Sequence, residues 1–376
     1  PSIRQFSNRM KHIDDCVNLT IGQPDFPMPD VVKEAYISAI REDKTSYSHN
    51  KGLSETRQAI SNYFKNKYGF EYSEEEIIIT NGASEALDTS LRSIIEPGDE
   101  ILIPGPVYAG YIPLIETLGG IPIYMDTTQL EFKVTPELIN KHITEKTKAI
   151  LLNYPTNPTG VILERSEVKA IVDTLVDKNL FIISDEIYAE NTFKGAHTSF
   201  AEFEEIRDQL LLIGGLSKSH SATGIRIGFL IGPEYLIEKL TFMHAYNCIC
   251  ANVPAQIACI AALNEGLEAP QYMNDAYIKR RDYLKNKLES LGFELTAQPE
   301  GAFYIFPSIK KFTENDFDFC VDVLEQAHVA MVPGSSFTDM GKGYIRISYA
   351  YEMDMLKEGM RRLENYLNQN YPDKMK

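Results

Sequence analysis

Between residues 75 and 232, short apolar runs rich in β-branched residues alternate with longer stretches of helical character. The runs fall at 77–80, 100–104, 121–125, 149–153, 181–185, 210–214 and 227–231. Within them apolar residues follow one another without the in–out alternation of a half-exposed strand, which predicts strands buried on both faces. The intervening segments carry helix signals. One starts at Ser84-Glu85-Ala86-Leu87, continues to Ile95 and is stopped by Pro97-Gly98. Strands alternating with helices predict an α/β arrangement, a mostly parallel seven-stranded sheet sandwiched by helices. Ligands then belong beyond the carboxyl ends of the strands. After about residue 275 the texture changes. A basic helical stretch at 279–291 precedes short strand-like runs at 293–296, 302–306, 329–332 and 344–348, and a closing helix covers roughly 353–369. That succession predicts a smaller α+β domain, with no low-complexity linker before it.

Composition narrows the function classes. A chain of 376 residues can build one large cored domain and a smaller one. Its 53 acidic residues outnumber 37 basic ones, for a net charge of −16. Such a chain is poorly suited to nucleic acid, whose binding leans on phosphate neutralisation, and equally to anionic membranes; the charge serves solubility. No run of 18 apolar residues predicts a membrane span, and the opening PSIRQFSNRMKHIDD lacks the apolar centre of a secretory signal. Cysteines stand at 16, 248, 250, 259 and 320, an odd number without CxxC pairs, which predicts reduced thiols and a cytoplasmic location. The Cys248-x-Cys250 pair reads as free thiols in preference to a metal site.

The densest chemistry lies in Gly215-Leu216-Ser217-Lys218-Ser219-His220-Ser221-Ala222-Thr223-Gly224-Ile225-Arg226-Ile227-Gly228. A lysine just past a buried strand, among small residues, faces a cleft; partial desolvation disfavours its charged form and makes it a usable amine nucleophile. An arginine eight residues later suits a phosphate dianion. Taken alone, an isolated lysine here is more often solvated and the arginine structural. The whole string, however, resembles the cofactor-attachment motif of the pyridoxal-phosphate (PLP) aminotransferases of classes I and II, the aspartate-aminotransferase fold family. Further matches run in order from Gly22 to Arg346. One departure stands out: many members carry Ser three residues before the lysine, where this chain has Gly215.

The resemblance implies a role for each matched residue. Lys218 holds PLP covalently, with Ser217 beside it. Asp185, ending the run 181–185, pairs with the pyridine nitrogen and keeps it protonated, so that the ring withdraws electrons; on local grounds it could equally cap a turn. Tyr188 and the Asn157 of Asn157-Pro158-Thr159-Gly160 reach the phenolate oxygen, and Asn157 also the substrate carboxylate. In Thr80-Asn81-Gly82-Ala83-Ser84, the N–H groups opening a helix cradle the phosphate together with Arg226. Tyr108 stacks on the ring. Gly22 belongs to a loop that closes over substrate, and Arg346 grips the α-carboxylate in bidentate fashion. Tyr47 reaches the phosphate of a neighbouring subunit, which implies a homodimer with shared active sites. The family pattern also implies a division into an N-terminal segment, 1–40, joined to the small domain, a large PLP-binding domain, 41–274, and a small C-terminal domain, 275–376.

The implied activity is amino-group transfer from an L-amino acid to a 2-oxo acid, commonly 2-oxoglutarate. Once displaced by substrate, the Lys218 amine carries the proton as general base and acid. Some aspartate-specific members use a second arginine, from the partner subunit, for the distal carboxylate. The corresponding segment, 241–256, contains no Arg or Lys. The overall pattern most resembles a bacterial aminotransferase A group linked to N-acetyl-L,L-diaminopimelate and lysine biosynthesis. Two rivals remain: a C–S β-lyase of the same fold, and a non-catalytic PLP-binding domain of a transcription regulator, which would need a basic helix-turn-helix domain ahead of the fold.

Overall fold

The computed structural model describes residue 10 and residues 13–375. Residues 1–9, 11 and 12 of the N-terminal segment therefore lie outside the described residues. Strands are numbered in chain order: β1 Val17–Asn18, β2 Ile77–Thr80, β3 Glu100–Gly105, β4 Ile121–Asp126, β5 Thr147–Asn153, β6 Phe181–Asp185, β7 Leu210–Gly215, β8 Gly228–Ile231, β9 Tyr304–Ile305, β10 Val329–Ala330, β11 Val332–Pro333 and β12 Ile345–Ser348.

Seven of them form the central sheet in the order β2-β8-β7-β6-β5-β3-β4. All neighbours pair in parallel except β8, which runs antiparallel to both β2 and β7. The expected α/β sheet is present, and the reason its strands read as unbroken apolar runs is visible in the packing. Ile77, Ile79, Leu102, Ile150, Leu152, Ile182 and Leu212 join one apolar cluster. The intervening Ile78, Ile101, Ile103, Leu151, Ile183 and Ile213 join another. Each strand thus alternates between two buried faces, and both layers of helices are needed to cover them.

Register sets where chemistry can occur. Asn153 lies opposite Asp185, and Asp185 opposite Ile213, so the carboxyl ends of β5, β6 and β7 finish side by side. Gly215 pairs with Gly228 at the far end of the β7–β8 ladder. A Cβ on Gly228 would lie 2.6 Å from the carbonyl carbon of Gly82; the small residues there let three backbones converge beneath the lysine-bearing turn.

A third apolar cluster gathers Leu288, Phe293, Phe303, Phe319, Val323, Ile345, Ile347, Leu356 and Leu363 with Val17 and Leu19 from the N-terminal segment. β1 pairs in parallel with β10, which ties that segment to the C-terminal third of the chain. The helix Ala269–Ser290 begins ten residues before the stretch expected from the sequence, and position 274/275 falls inside it. The run 293–296 makes a single bridge, Glu294 to Ser308, because Gly292 turns the chain at φ 90° just before it. The run 329–332 is split at Met331: β10 pairs with β1, whereas β11 pairs with β12.

Leu151 is fully buried in the central sheet. Replacing it by Ala should lower the unfolding free energy by about 2–5 kcal/mol. Leu130→Ala, at a loop position that is 36% exposed, should change it by less than about 0.5 kcal/mol. Urea unfolding curves of the two variants check the contrast.

Candidate active site

At the carboxyl end of β6, Asp185 sits buried with two donors fixing its carboxylate. Tyr111 Oη donates to Oδ2 at 2.6 Å, and the Ile187 N–H to Oδ1 at 3.2 Å. Burial raises its pKa, and the hydrogen bonds from Tyr111 and Ile187 oppose that rise. The carboxyl would hold its charge more firmly against a cationic group placed before it. Asn153, at the end of β5, braces the strand end by donating from Nδ2 to the Asp185 carbonyl at 2.9 Å, while its Oδ1 accepts the Asn157 N–H at 3.1 Å.

Lys218 rises from the short helix Leu216–Ser219 that follows β7. Its ammonium donates to the Gly22 carbonyl and lies 5.7 Å from the ring centres of Tyr188 and Phe303. Burial drives its pKa down to about 8, the Arg346 and Arg226 guanidinium groups push the same way, and Asp185 opposes them. A free amine is therefore accessible more than two pH units earlier than in solvent. Gly215 has a steric reason to lack a side chain: a Cβ there would stand 2.8 Å from the Ile227 carbonyl oxygen.

An anion cradle forms where the helix Ala83–Ile94 begins. Gly82 at its N-cap adopts φ 84°, a conformation that favours glycine, and a Cβ would lie 2.4 Å from Arg226 Nη2. Arg226 reaches over this helix start, donating to the carbonyls of Thr223 at 2.8 Å and Asn81 at 3.4 Å. Exposed Ser84, the N–H groups of the first turn and the guanidinium thus address one point. The cap is conformational, since no side chain of the segment closes it.

On the opposite wall β12 supplies Arg346. Its Nη1 donates to Asn157 Oδ1 at 2.8 Å and its Nη2 to the Thr20 carbonyl at 2.6 Å. The guanidinium packs 4.3 Å from the Tyr304 ring centre and 4.8 Å from that of Phe337. Its Nε is buried without a hydrogen-bond partner, a costly arrangement that an incoming acceptor would relieve. Tyr188 Oη meets Tyr304 Oη at 2.9 Å.

These groups line one cavity of about 530 Å³. Of the residues singled out in the sequence, the cavity wall includes Gly22, Ala83, Ser84, Tyr108, Asn157, Asp185, Tyr188, Ser217, Lys218, Arg226 and Arg346. Gly82 lies directly behind the wall, under Arg226. Tyr47 does not reach the cavity of its own chain and is 77% exposed. Among the lining residues that the sequence did not single out are Tyr111, Tyr304, Asn153 and Phe337. Tyr111 follows Tyr108 at helical spacing, and Asn153 ends an apolar run, so both carried a signal; Tyr304 sat in a run read only as strand.

The donor set fits PLP part by part. A cradle of helix N–H groups and an arginine meets a phosphate, a buried carboxylate meets a ring nitrogen, and an easily deprotonated lysine stands between them to take up the aldehyde carbon. With the strand order of the sheet, this defines a PLP-dependent enzyme of the aspartate-aminotransferase fold. The chain belongs to the aminotransferase class I and II family, whose model matches residues 14–363.

A Bacillus subtilis protein named as a probable N-acetyl-LL-diaminopimelate aminotransferase is 48% identical over 366 residues, covering 97% of this chain and 92% of that one. An aromatic aminotransferase from Pyrococcus horikoshii superposes with a TM-score of 0.92 at 34% identity, over 97% of this chain and 99% of the other. The aspartate aminotransferase of Thermotoga maritima does so at 0.92 and 32%, over 98% and 97%. The protein is thus an aminotransferase, with PLP as cofactor and amino acids and 2-oxo acids as its substrate classes.

In the cofactor-free protein, acylation of Lys218 should rise with pH to a half-maximum near 8, well below that of an ordinary lysine near 10.4. Because Arg346 depresses the lysine pKa, Arg346→Gln should move that midpoint upward. Mass-spectrometric quantification of the Lys218 peptide across pH measures both.

Proposed function

We propose that this enzyme transfers the amino group of an L-amino acid through Lys218, with N-acetyl-L,L-diaminopimelate as the donor class and 2-oxoglutarate as the partner 2-oxo acid. The observation that carries the site assignment is that Lys218, Asp185 and Arg346 line one cavity, with the buried Arg346 Nε unsatisfied. Bound there, PLP supplies an electron sink for the carbanion formed when the substrate Cα loses its proton. Every other task falls to the chain.

In this reading Asp185 stabilises the protonated ring nitrogen, and Tyr111 holds the carboxylate in position. Ala83, Ser84, Ser217 and Arg226 retain the phosphate, over a helix start that Gly82 keeps open. Tyr188 and Asn157 address the phenolate oxygen, and Tyr108 lies against the ring. Arg346 orients the substrate by its α-carboxylate, with Asn157 shared between substrate and cofactor and the Gly22 loop above. Lys218 Nζ takes the Cα proton and returns it on the other side of the transfer. A pKa already lowered by burial suits it to that work near neutral pH.

The donor rests on the name of the 48% identical relative; because 241–256 holds no Arg or Lys, the distal carboxylate of that donor and of 2-oxoglutarate would be met by groups other than a fixed cation from this segment. That donor would place the enzyme in lysine biosynthesis. A homodimer with Tyr47 contributed to the neighbouring site is favoured by an exposed strip of Phe242, Tyr246 and Ile249. That strip is tied to the Tyr47 loop by Asn50 Nδ2, which donates to the Ile249 carbonyl at 2.7 Å. We also propose the division into 1–40 with 275–376 around the third apolar cluster and 41–274 around the sheet. A cytoplasmic location accords with five free cysteines; among the described residues no helix is long and apolar enough to cross a membrane.

Lys218→Ala should keep the cofactor but lose at least about 10²–10⁴ in turnover, the usual worth of a positioned acid–base group. With the wild-type enzyme, single-turnover release of 2-oxo acid should be fastest from N-acetyl-L,L-diaminopimelate when it is compared with aspartate and phenylalanine. Faster release from either of those rejects the donor, and release of ammonia with pyruvate from cystathionine would replace transfer by β-elimination. Sedimentation should report twice the chain mass, and Tyr246→Lys should shift it toward the monomer.

A further inference from the structure

Away from the cavity wall, the helix Glu234–Cys248 ends against the start of the helix Ala83–Ile94. His244 and Cys248 are four residues apart, so one face of the helix presents both, and Glu85 reaches them from the neighbouring helix. His244 Nδ1 lies 2.6 Å from Glu85 Oε1 and 3.6 Å from Cys248 Sγ, and Sγ lies 3.7 Å from the same carboxylate oxygen. His244 is fully buried, while Glu85 and Cys248 are half-buried. Among the described residues this is the one convergence of three such donor atoms within 4.8 Å.

We propose that Glu85, His244 and Cys248 bind a divalent cation of the zinc type, with water completing a tetrahedral shell. Zinc holds nitrogen at about 2.0–2.1 Å, sulfur at about 2.3 Å and oxygen at about 2.0–2.2 Å, which places tetrahedral donors about 3.3–3.6 Å apart. The two edges that include sulfur, at 3.6 and 3.7 Å, already approach that spacing. The histidine–carboxylate edge must open from 2.6 Å, and the half-buried Glu85 side chain has solvent on one side into which to turn. Thiolate and imidazole together select zinc over magnesium or calcium, which require oxygen donors. No local pattern marks this cluster: the paired cysteines in the sequence are Cys248 and Cys250, whereas the donors that converge come from a helix face and a separate helix.

Such an ion would act on the anion cradle through its ligand, not on the reacting atoms. Glu85 Oε2 accepts the Asn81 N–H at 2.7 Å, and the Asn81 carbonyl accepts from Arg226 at 3.4 Å. A cation on Glu85 would therefore staple the two helices beside the turn that presents Gly82, Ala83 and Ser84. The competing description is a buried histidine hydrogen-bonded to a glutamate, with a thiol packed alongside, and it binds nothing.

Holoenzyme stripped by a chelator and desalted should take up one zinc ion per chain in competition with a coloured chelator. Cobalt in its place should give the intense visible bands of a tetrahedral thiolate site. His244→Gln and Cys248→Ser should each weaken binding on the order of 100-fold, the upper end of what disturbing even a supporting group costs, whereas Cys250→Ser should keep the wild-type affinity. Should His244→Gln fail to fold, Cys248→Ser decides alone, since its side chain is half-buried. The proposal is overturned if the wild type binds no stoichiometric zinc, if Cys248→Ser binds as tightly as wild type, or if loss follows Cys250 instead. Amino-group transfer by the zinc-free enzyme is assayed separately, so failure of the metal site leaves the catalytic reading untouched.

Discussion

Withdrawal of water from Lys218 and Asp185 is the constraint on which the site depends. For the amine, burial outweighs the favourable charge of the aspartate, and its pKa falls to about 8; for the carboxyl, burial outweighs two donated hydrogen bonds, and its pKa rises. For each group the charged form is less favoured than it would be in solvent. What pays for this strain is the packing of the sheet beneath, where both faces are apolar and the strand ends stop in register. Had Asp185 stood one residue earlier on β6, it would have pointed into the helix layer.

The same constraint explains which parts of the protein could be read from its sequence. Seven strands were legible because double-sided burial leaves continuous runs such as Ile77-Ile78-Ile79 and Ile182-Ile183. The short strands of the C-terminal third were less so. β9, β10 and β11 are two residues each, their sides are set by partners distant in sequence, and nothing local marks where Met331 changes from one partner strand to the other. Lys218, Asp185, Asn157 and Arg226 were legible through motif spacing. Tyr111 and Tyr304 were not, because a tyrosine whose hydroxyl serves another side chain has the same sequence signature as one that only packs. Gly215 carries the converse lesson. It departs from the serine that many members carry, but the Ile227 carbonyl leaves no room for a side chain there, so the glycine is matched to this backbone.

The cavity also couples its two ends electrostatically. Arg346 lowers the Lys218 pKa while keeping one buried donor unpaired. On the roles proposed above, a substrate carboxylate that satisfies this guanidinium cancels part of the positive field felt by the amine. Lys218 then becomes a stronger base when, and only when, the α-carboxylate is in place. A neutral ligand of the same size would fill the cavity without this effect. Recognition and basicity are thereby linked through one arginine, with no movement of either side chain required. The link is strong because both groups are buried, where charges several ångströms apart still interact substantially. Specificity for the rest of the substrate must then come from the remaining wall, of Tyr108, Tyr304 and Phe337, which offers aromatic surface and two hydroxyls rather than a second fixed positive charge.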